Sequence, residues 1–229
     1  MNRYYSLYTE EGGSELHIYG DITSVEWFDN DVSSYAIAKE LSELDTSKPL
    51  TVYINSYGGE VAEGIAIYNQ LKRFEQCKTV VDGYAASIAS VIFMAGIERV
   101  MSPSSLLFIH NSWMRTAGNA KQLRKDADDL EKITAASMQA YLEHVNIGED
   151  KLKEMLDAET WLNADEAVEM GFATEKTAAG ASGKPSQSAR DKFAQLWQKA
   201  LKPVQQTPPE PEESPMQKFF KSMAKRKDD

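Results

Sequence analysis

The chain alternates short runs typical of β-strands with stretches that carry apolar residues at helical spacing, and this alternation is the strongest constraint on its fold. The run PLTVYINS at 49–56 predicts a strand that ends at two glycines, and EVAEGIAIYNQLKRF at 60–74 continues as a helix. The strand pattern returns in KTVVDGYA at 78–85, and SIASVIFMAG at 87–96 then predicts a buried helix. Strands that alternate with helices predict βαβ units, right-handed crossovers and a mainly parallel sheet.

Further elements extend this pattern on both sides of the central unit. A first strand is predicted over 16–22, and a helix over 32–44, where apolar residues recur at helical spacing. Two short strands are predicted at 99–103 and 106–112. The fold class that follows is α/β, in which functional residues collect at the carboxyl ends of the parallel strands.

The next part of the chain is predicted to be helical. A long helix is expected over 120–144, extending from the globular core and packing on a neighbour, with its charged face in solvent. Two shorter helices are expected within 147–175. The second should start near Asn163 or Ala164 and end at Gly171, because glycine is a good stop for a helix.

The composition changes after residue 176, which divides the chain into two regions. Residues 1–176 are predicted to form one compact domain. Residues 177–229 are predicted to be a flexible tail rich in proline and glutamate, with short helical segments at 190–201 and 216–229. We expect the residues after about 180 to be dispensable for the activity of the domain and to be needed for a partner.

Charge and cysteine content restrict the classes of partner and compartment. The chain has 25 Lys and Arg against 35 Asp and Glu, so its formal net charge is −10 and we expect neither nucleic acid nor membrane partners. The single cysteine, Cys77, is expected to be a buried and inert thiol in a reducing compartment. The longest apolar run, at 91–97, is shorter than the roughly 20 residues that span a bilayer. These features predict a cytoplasmic, soluble protein.

Two serines lie close together where a predicted strand meets a predicted helix. Ser87 is at the junction, among small alanines, where free backbone N–H groups could stabilise an oxyanion. Taken alone, it fits a helix N-cap better than a nucleophile. Ser90, three residues later, is interpreted as a packing residue. A glycine-glycine turn at Gly58 and Gly59 is a second candidate for oxyanion donors, although such a pair can also be a simple tight turn.

Of the three histidines, only His110 occupies a position typical of catalysis. It follows an apolar strand, whose carboxyl end is where active sites gather in parallel α/β folds. His17 lies within the first predicted strand and His144 at the end of the long helix, and we interpret both as structural. At the helix end, a positive charge on His144 would suit the helix dipole.

Four segments appear in a characteristic order and at characteristic intervals: YINSYGGEVAEGIAIYNQL, DGYAASIASVIFMAG, RVMSPSSLLFIHNS and WLNADEAVEMGFAT. In this order they resemble the ClpP family of serine peptidases, the proteolytic subunit of the Clp protease. The resemblance covers residues 15–176 and implies a ClpP/crotonase-like fold of repeated βαβ units with a protruding handle helix. The final segment is most similar to the ClpP-related proteins of phages and prophages that take part in capsid maturation.

The resemblance assigns a role to individual residues. Ser87 matches the nucleophile and His110 the general base, and Gly58 and Ile88 match the positions whose N–H groups form the oxyanion hole. The third member departs from the pattern, because Glu159 occupies the position of the usual aspartate. Asp157, two residues earlier, is the alternative. No metal or organic cofactor is implied.

The resemblance also implies partners and an assembly. Family members form heptameric rings, stacked in pairs through the handle helix, that enclose the active sites and cleave proteins or peptides. A capsid or scaffold protein, or an AAA+ unfoldase, would be a further partner. Two alternatives stay open: an inactive or weakly active shell protein that recruits partners, and a crotonase-like acyl-CoA enzyme on the shared fold.

Overall fold

A computed structural model describes residues 5–10, 12–24 and 32–177 of the chain. Within them, one mixed sheet forms the centre of the protein. Its strands, in chain order, are β1 (Tyr5–Glu10), β2 (Gly13–Ile18), β3 (Leu50–Ser56), β4 (Cys77–Ala86), β5 (Glu98–Met101), β6 (Leu106–Ile109), β7 (Thr160–Asn163) and β8 (Glu175–Lys176). The α/β fold expected from the alternating pattern is confirmed.

The helices follow the strands as the βαβ pattern predicts. They are α1 (Ser34–Leu41), α2 (Val61–Leu71), α3 (Ile88–Phe93), α4 (Ala120–Leu142), α5 (Glu149–Asp157) and α6 (Ala164–Glu169). The last of these begins at Ala164, one of the two predicted starts, and the chain turns after it at Gly171 with a φ of +82°. The predicted tail over 177–229 lies outside the described residues, except for its first residue.

The long strand β4 organises the sheet because two different strands pair with it on the same side. Its first half, Lys78–Val81, pairs with β5 in parallel, and its last three residues, Tyr84–Ala86, pair with β6 in parallel. On its other side, β3 follows it throughout, with a shift of register between Ile54 and Ser56. The sheet therefore branches at the carboxyl end of β4, immediately before Ser87.

The remaining strands extend this branched sheet. The order β1-β2-β3-β4-β5-β8 forms the main path, in which only the β1–β2 pair is antiparallel. On the branch, β7 returns antiparallel beside β6, and Ile109 lies opposite Thr160. The sequence did not predict β1, β7 or β8 as strands, because they are short or mostly polar and lack an apolar alternation.

The core lies between the sheet and the helices and includes α3 almost entirely. All six residues of α3 are buried, as the sequence predicts. Gly64 of α2 allows the two helices to approach closely, because a Cβ atom there would lie 2.1 Å from Cγ1 of Ile88. The thiol of Cys77 is also buried, and this desolvation raises its pKa to about 12, as expected of an inert cysteine.

The helix α4 contrasts with α3, because most of its length is exposed. A capping box of Asn119 and Gln122 starts it, and its buried residues are confined to the last turns: Met138, Ala140 and Tyr141. The helix ends two residues before the predicted limit, and His144 lies just beyond it. Burial lowers the pKa of His144 below its usual value, and nearby Arg99 and Lys72 add to this, so the expected positive charge at the helix end is disfavoured.

Among the described residues, no helix combines the length and the apolar character that crossing a membrane requires.

Candidate active site

Ser87 has a backbone conformation that serine rarely adopts. Its φ is 56° and its ψ is −130°, and among the described residues other than glycine only Glu159 also has a positive φ. Such a conformation costs on the order of 1–3 kcal/mol and persists only where the surroundings impose it. It turns the chain sharply from β4 into α3 and leaves the Ser87 side chain partly exposed. No side-chain cap bond is formed there, so the N-cap interpretation of this serine loses its main support.

The neighbouring branch of the sheet holds this turn in place. The N–H of Ser87 donates to the carbonyl oxygen of Phe108 at 2.9 Å, which extends the β4–β6 pairing by one bond. Because His110 lies two residues after Phe108 at the end of β6, the same pairing brings its ring to Ser87. The distance between His110 Nε2 and Ser87 Oγ is 2.8 Å.

The ring of His110 is held by aromatic contacts. It stacks on Phe108 at 5.2 Å between centroids, and Phe108 in turn packs on Trp161 of β7 at 4.6 Å. Tyr84 of β4 meets the edge of Trp161 from the other side, at 5.8 Å. This group restricts the ring to an orientation in which one nitrogen faces Ser87.

Burial has a large effect on the protonation of His110. Desolvation lowers its pKa from 6.5 to about 4, and a hydrogen bond with the backbone of Asn111 partly opposes this shift. The imidazole is therefore neutral at physiological pH and able to accept a proton. A hydrogen bond that raises the pKa of a histidine is one that its ring donates. In the neutral ring, the lone pair that can accept a proton therefore belongs to the nitrogen that does not donate to Asn111.

The glycine pair at 58–59 lies directly against the Ser87 turn. A Cβ atom on Gly58 would lie 2.7 Å from Ser87 Cβ and 3.1 Å from Ile88 N, and the φ of Gly58 is +93°. Only glycine fits this close approach without strain. The structure thus brings together the two segments that the sequence predicts as oxyanion donors.

The hydrogen bonds of this pair differ between its two residues. The N–H of Gly58 donates to Ser56 Oγ at 3.1 Å, and Ser56 Oγ donates to the carbonyl of Gly20 at 2.6 Å. Among the described residues, none accepts a hydrogen bond from the N–H of Gly59. The Gly58 donor predicted from the sequence is therefore already engaged, and the adjacent amide is available.

The two candidate carboxylates take different positions. The β6–β7 pairing ends with Ile109 opposite Thr160, so His110 and Glu159 are the next residues beyond it on the two segments. Asp157 ends α5 and accepts a hydrogen bond from Asn111 Nδ2 at 2.6 Å. Both carboxylates are exposed. By sequence position Glu159 adjoins the end of this pairing, whereas Asp157 is bonded to Asn111.

Ser90 has more contacts than the packing role expected from the sequence. It is fully buried, its Oγ donates to the carbonyl of Ser87 at 2.6 Å, and it lies 2.7 Å from the hydroxyl of Tyr141. Tyr141 was not singled out in the sequence, because no spacing rule links the last turn of α4 to α3. The polar pair within an apolar core is visible only in the fold.

The site contains no arrangement that would bind a metal. Within the described residues, no group of three or more His, Cys, Asp or Glu side chains could hold a metal ion. The site combines a hydroxyl, a neutral imidazole and two backbone segments with N–H groups. Acyl transfer by a serine nucleophile requires these groups.

Comparison with known proteins connects this site to a family. The sequence pattern of the family described as Clp protease matches residues 20–177, which include all of the site residues above.

Individual relatives are identical to the chain at about a third of the aligned positions. The ATP-dependent Clp protease proteolytic subunit of Bacteroides thetaiotaomicron is 31% identical over 138 residues, which is 59% of this chain and 63% of that protein. The corresponding subunit of Deinococcus radiodurans is 30% identical over 143 residues, 60% of this chain and 70% of that protein. Subunit 2 of Treponema denticola is 32% identical over 150 residues, 59% of this chain and 75% of that protein.

The chain thus spans between 63% and 75% of the length of these curated relatives. Because the family pattern covers well over half of the chain and the fold agrees with it, the protein belongs to the Clp protease family.

Proposed function

We propose that this protein is a serine endopeptidase of the ClpP type. The observation that carries the proposal is the 2.8 Å contact between His110 Nε2 and Ser87 Oγ, made at the strained turn after β4. Membership of the Clp protease family supports it, as does the printed description of the relatives as proteolytic subunits. A crotonase-like reaction would have no use for this serine–histidine pair.

The proposed reaction begins with a proton transfer. His110 takes the hydroxyl proton of Ser87 as Oγ attacks the carbonyl carbon of a peptide bond, and a tetrahedral intermediate forms. His110 then gives that proton to the leaving amine, which departs and leaves an acyl-enzyme. A water molecule, deprotonated by the same imidazole, attacks the ester and releases the second product and free Ser87.

The negative charge on the intermediate needs hydrogen-bond donors. We assign one to the N–H of Ile88, which belongs to the same peptide unit as the Ser87 carbonyl. The second comes from the Gly58–Gly59 pair, where the unengaged N–H of Gly59 is better suited than that of Gly58. Removing such a donor typically costs about 3 kcal/mol of transition-state stabilisation.

Glu159 is the proposed third member. Its position directly before Thr160, which pairs with Ile109, supports it over Asp157, whose Oδ1 already accepts from Asn111. Because the ring also bonds to the Asn111 backbone, the correct tautomer does not depend on the carboxylate alone. Glu159 would then act mainly by stabilising the imidazolium that forms during catalysis.

Peptide or protein substrates and a homo-oligomeric ring belong to the same proposal. The exposed length of α4, with Leu123 42% exposed, supports a contact between subunits through this helix. Processing of capsid or scaffold proteins stays a prediction from the sequence resemblance, and so does an AAA+ partner.

Labelling with a fluorophosphonate probe tests the nucleophile. We expect one covalent adduct, located at Ser87 by peptide mass spectrometry, because the probe reacts with activated serines. H110A should abolish the adduct and H17A should retain it, since His17 lies on β2, where its ring stacks on Tyr53. An unlabelled wild-type chain, or equal labelling of H110A, contradicts the assignment.

The pH dependence of kcat/KM tests the state of His110. Since burial lowers the pKa of this histidine to about 4, the imidazole stays unprotonated as the pH falls through 6.5. Activity on a fluorogenic peptide should therefore persist at pH 5.5 and be lost only near the lowered pKa of about 4. An acid limb at or above 6.5 would show that the charged ring is stabilised in the free enzyme, against the desolvation described above.

A matched pair of variants separates the two carboxylates. E159Q should lower kcat by about tenfold, less than the loss of about 10⁴ that follows when the tautomer itself is wrong. D157N should stay within about twofold of the wild type, because the carboxylate it replaces contacts Asn111 and not the imidazole. A larger loss for D157N than for E159Q would reverse the assignment.

Sedimentation velocity of the full chain tests the assembly. We expect a species several times heavier than the 25.6 kDa chain at micromolar concentration. L123E, which charges the exposed face of α4, should shift the distribution towards smaller species, whereas K132E on the same helix changes a residue in solvent and should not. A wild-type chain that sediments as a monomer would be incompatible with a ring.

A further inference from the structure

A buried chain of three oxygen atoms links the helix α4 to the backbone of Ser87. The hydroxyl of Tyr141 lies 2.7 Å from Ser90 Oγ, which lies 2.6 Å from the carbonyl oxygen of Ser87. Tyr141 is only 3% exposed and Ser90 is 0% exposed. Both hydroxyls are shielded from bulk solvent, and the direction of each hydrogen bond follows from counting their protons.

The Ser87 carbonyl can only accept, so Ser90 must use its single hydroxyl proton to donate to it. The proton between Ser90 and Tyr141 therefore comes from the phenol. Burial raises the pKa of Tyr141 far above its usual value, which keeps that proton in place. Both hydroxyl protons are used, and the chain runs in one direction, from Tyr141 through Ser90 to the Ser87 carbonyl.

The receiving carbonyl belongs to the peptide unit that supplies the Ile88 N–H. A trans peptide is planar, and its C=O and N–H point in opposite directions. When Ser90 holds the carbonyl in the core, it also fixes the direction of the Ile88 N–H on the other side. There, a Cβ atom added to Gly58 would lie 3.1 Å from Ile88 N, so the two segments are close. A donor to the carbonyl also polarises the peptide and strengthens its N–H as a donor.

The need for such support is visible in the backbone of Ser87. Its φ of 56° is a strained conformation. The backbone N–H of Ser90 also donates to the carbonyl of Ser87, at 3.0 Å. The Ser90 hydroxyl adds a shorter bond, and Tyr141 orients that hydroxyl. Two buried side chains thus determine the orientation of one peptide unit beside the nucleophile.

We propose that Ser90 and Tyr141 are positioning residues that orient the Ser87–Ile88 peptide as an oxyanion donor, and that they connect this donor to the last turn of α4. The inference rests on the proposed function of Ser87 and Ile88. Neither residue contacts a substrate, and each acts through the peptide unit. A movement of the end of α4 would be transmitted to the oxyanion site through this chain.

The experiment compares S90A, Y141F and the double variant in the full chain. For a fluorogenic peptide amide, S90A should lower kcat about tenfold with KM unchanged, a smaller loss than the 10²–10³ seen when an oxyanion donor is removed, because the donor remains but is less well oriented. Y141F should lower kcat about two- to threefold, since Ser90 still donates to the carbonyl. The inhibition constant of a peptide aldehyde should rise by the factor by which kcat/KM falls, because its adduct carries the oxyanion.

The double variant separates positioning from folding. In S90A the buried phenol of Tyr141 loses its acceptor, so Tm should fall; in S90A/Y141F that phenol is absent, so Tm should recover. The kcat of the double variant should nevertheless equal that of S90A, because the carbonyl of Ser87 still lacks its side-chain donor. Recovery of kcat together with Tm would overturn the proposal, since the loss would then follow from stability alone.

Two control variants match these changes elsewhere in the chain. Ser105 Oγ donates to the Ser102 carbonyl at 2.8 Å, which is the same buried arrangement three residues apart, so S105A should leave kcat unchanged. The hydroxyl of Tyr68 donates to Glu143, just beyond α4, so Y68F should also leave kcat unchanged.

The variants are interpreted against the wild-type chain, its kcat for the peptide and its labelling at Ser87. If the wild type is active and S90A keeps its full kcat, the positioning role is wrong and the proposed peptidase stands. If the wild type neither hydrolyses the peptide nor reacts at Ser87, the proposed function and this inference fail together.

Discussion

The hydrogen bond from the N–H of Ser87 to the carbonyl of Phe108 is the contact on which the site depends. It extends the pairing of β4 with β6 by one residue beyond the strand, and it joins two segments of chain that come from different βαβ units. On one side of this bond is the strained turn that exposes the serine, and on the other is the strand that ends at His110. Without it, neither the turn nor the 2.8 Å contact between the two side chains would be fixed.

The environment of His110 shows how the same packing serves structure and chemistry. The aromatic group of Phe108, Trp161 and Tyr84 fills the space between the end of β4 and the β6–β7 pair, as a hydrophobic core would. It also removes water from the imidazole, which lowers the pKa of His110 and keeps the ring in its basic form. A base of lower pKa is present in the correct form over a wider pH range but has less driving force for taking a proton, so stabilisation of the imidazolium by a nearby carboxylate would matter more.

Much of the fold could be predicted from the sequence, because helical periodicity and apolar runs mark most elements directly. The buried strands β3 and β4 and the helices α2, α3 and α4 lie within two or three residues of their predicted bounds. Ser87, His110 and the Gly58–Gly59 turn could also be proposed, since each follows a strand. Three features could not be predicted from the sequence: the engagement of the Gly58 N–H by Ser56, the antiparallel pairing of β6 with β7, and the bonds of Ser90. Each depends on a pairing or a contact between distant segments, and local patterns carry no information about that geometry.

The antiparallel register of β6 and β7 has a consequence for how this protein can change during evolution. The residues that face each other in such a pair are fixed by counting along the chain from Ile109 and Thr160. The number of residues in the turn between α5 and β7 therefore determines which residue precedes Thr160. A single residue inserted or deleted in this turn would change which residue precedes Thr160, beyond the end of the pairing, while the paired strands could keep their register. The residue found at this position is therefore set by the length of the turn as well as by the local sequence.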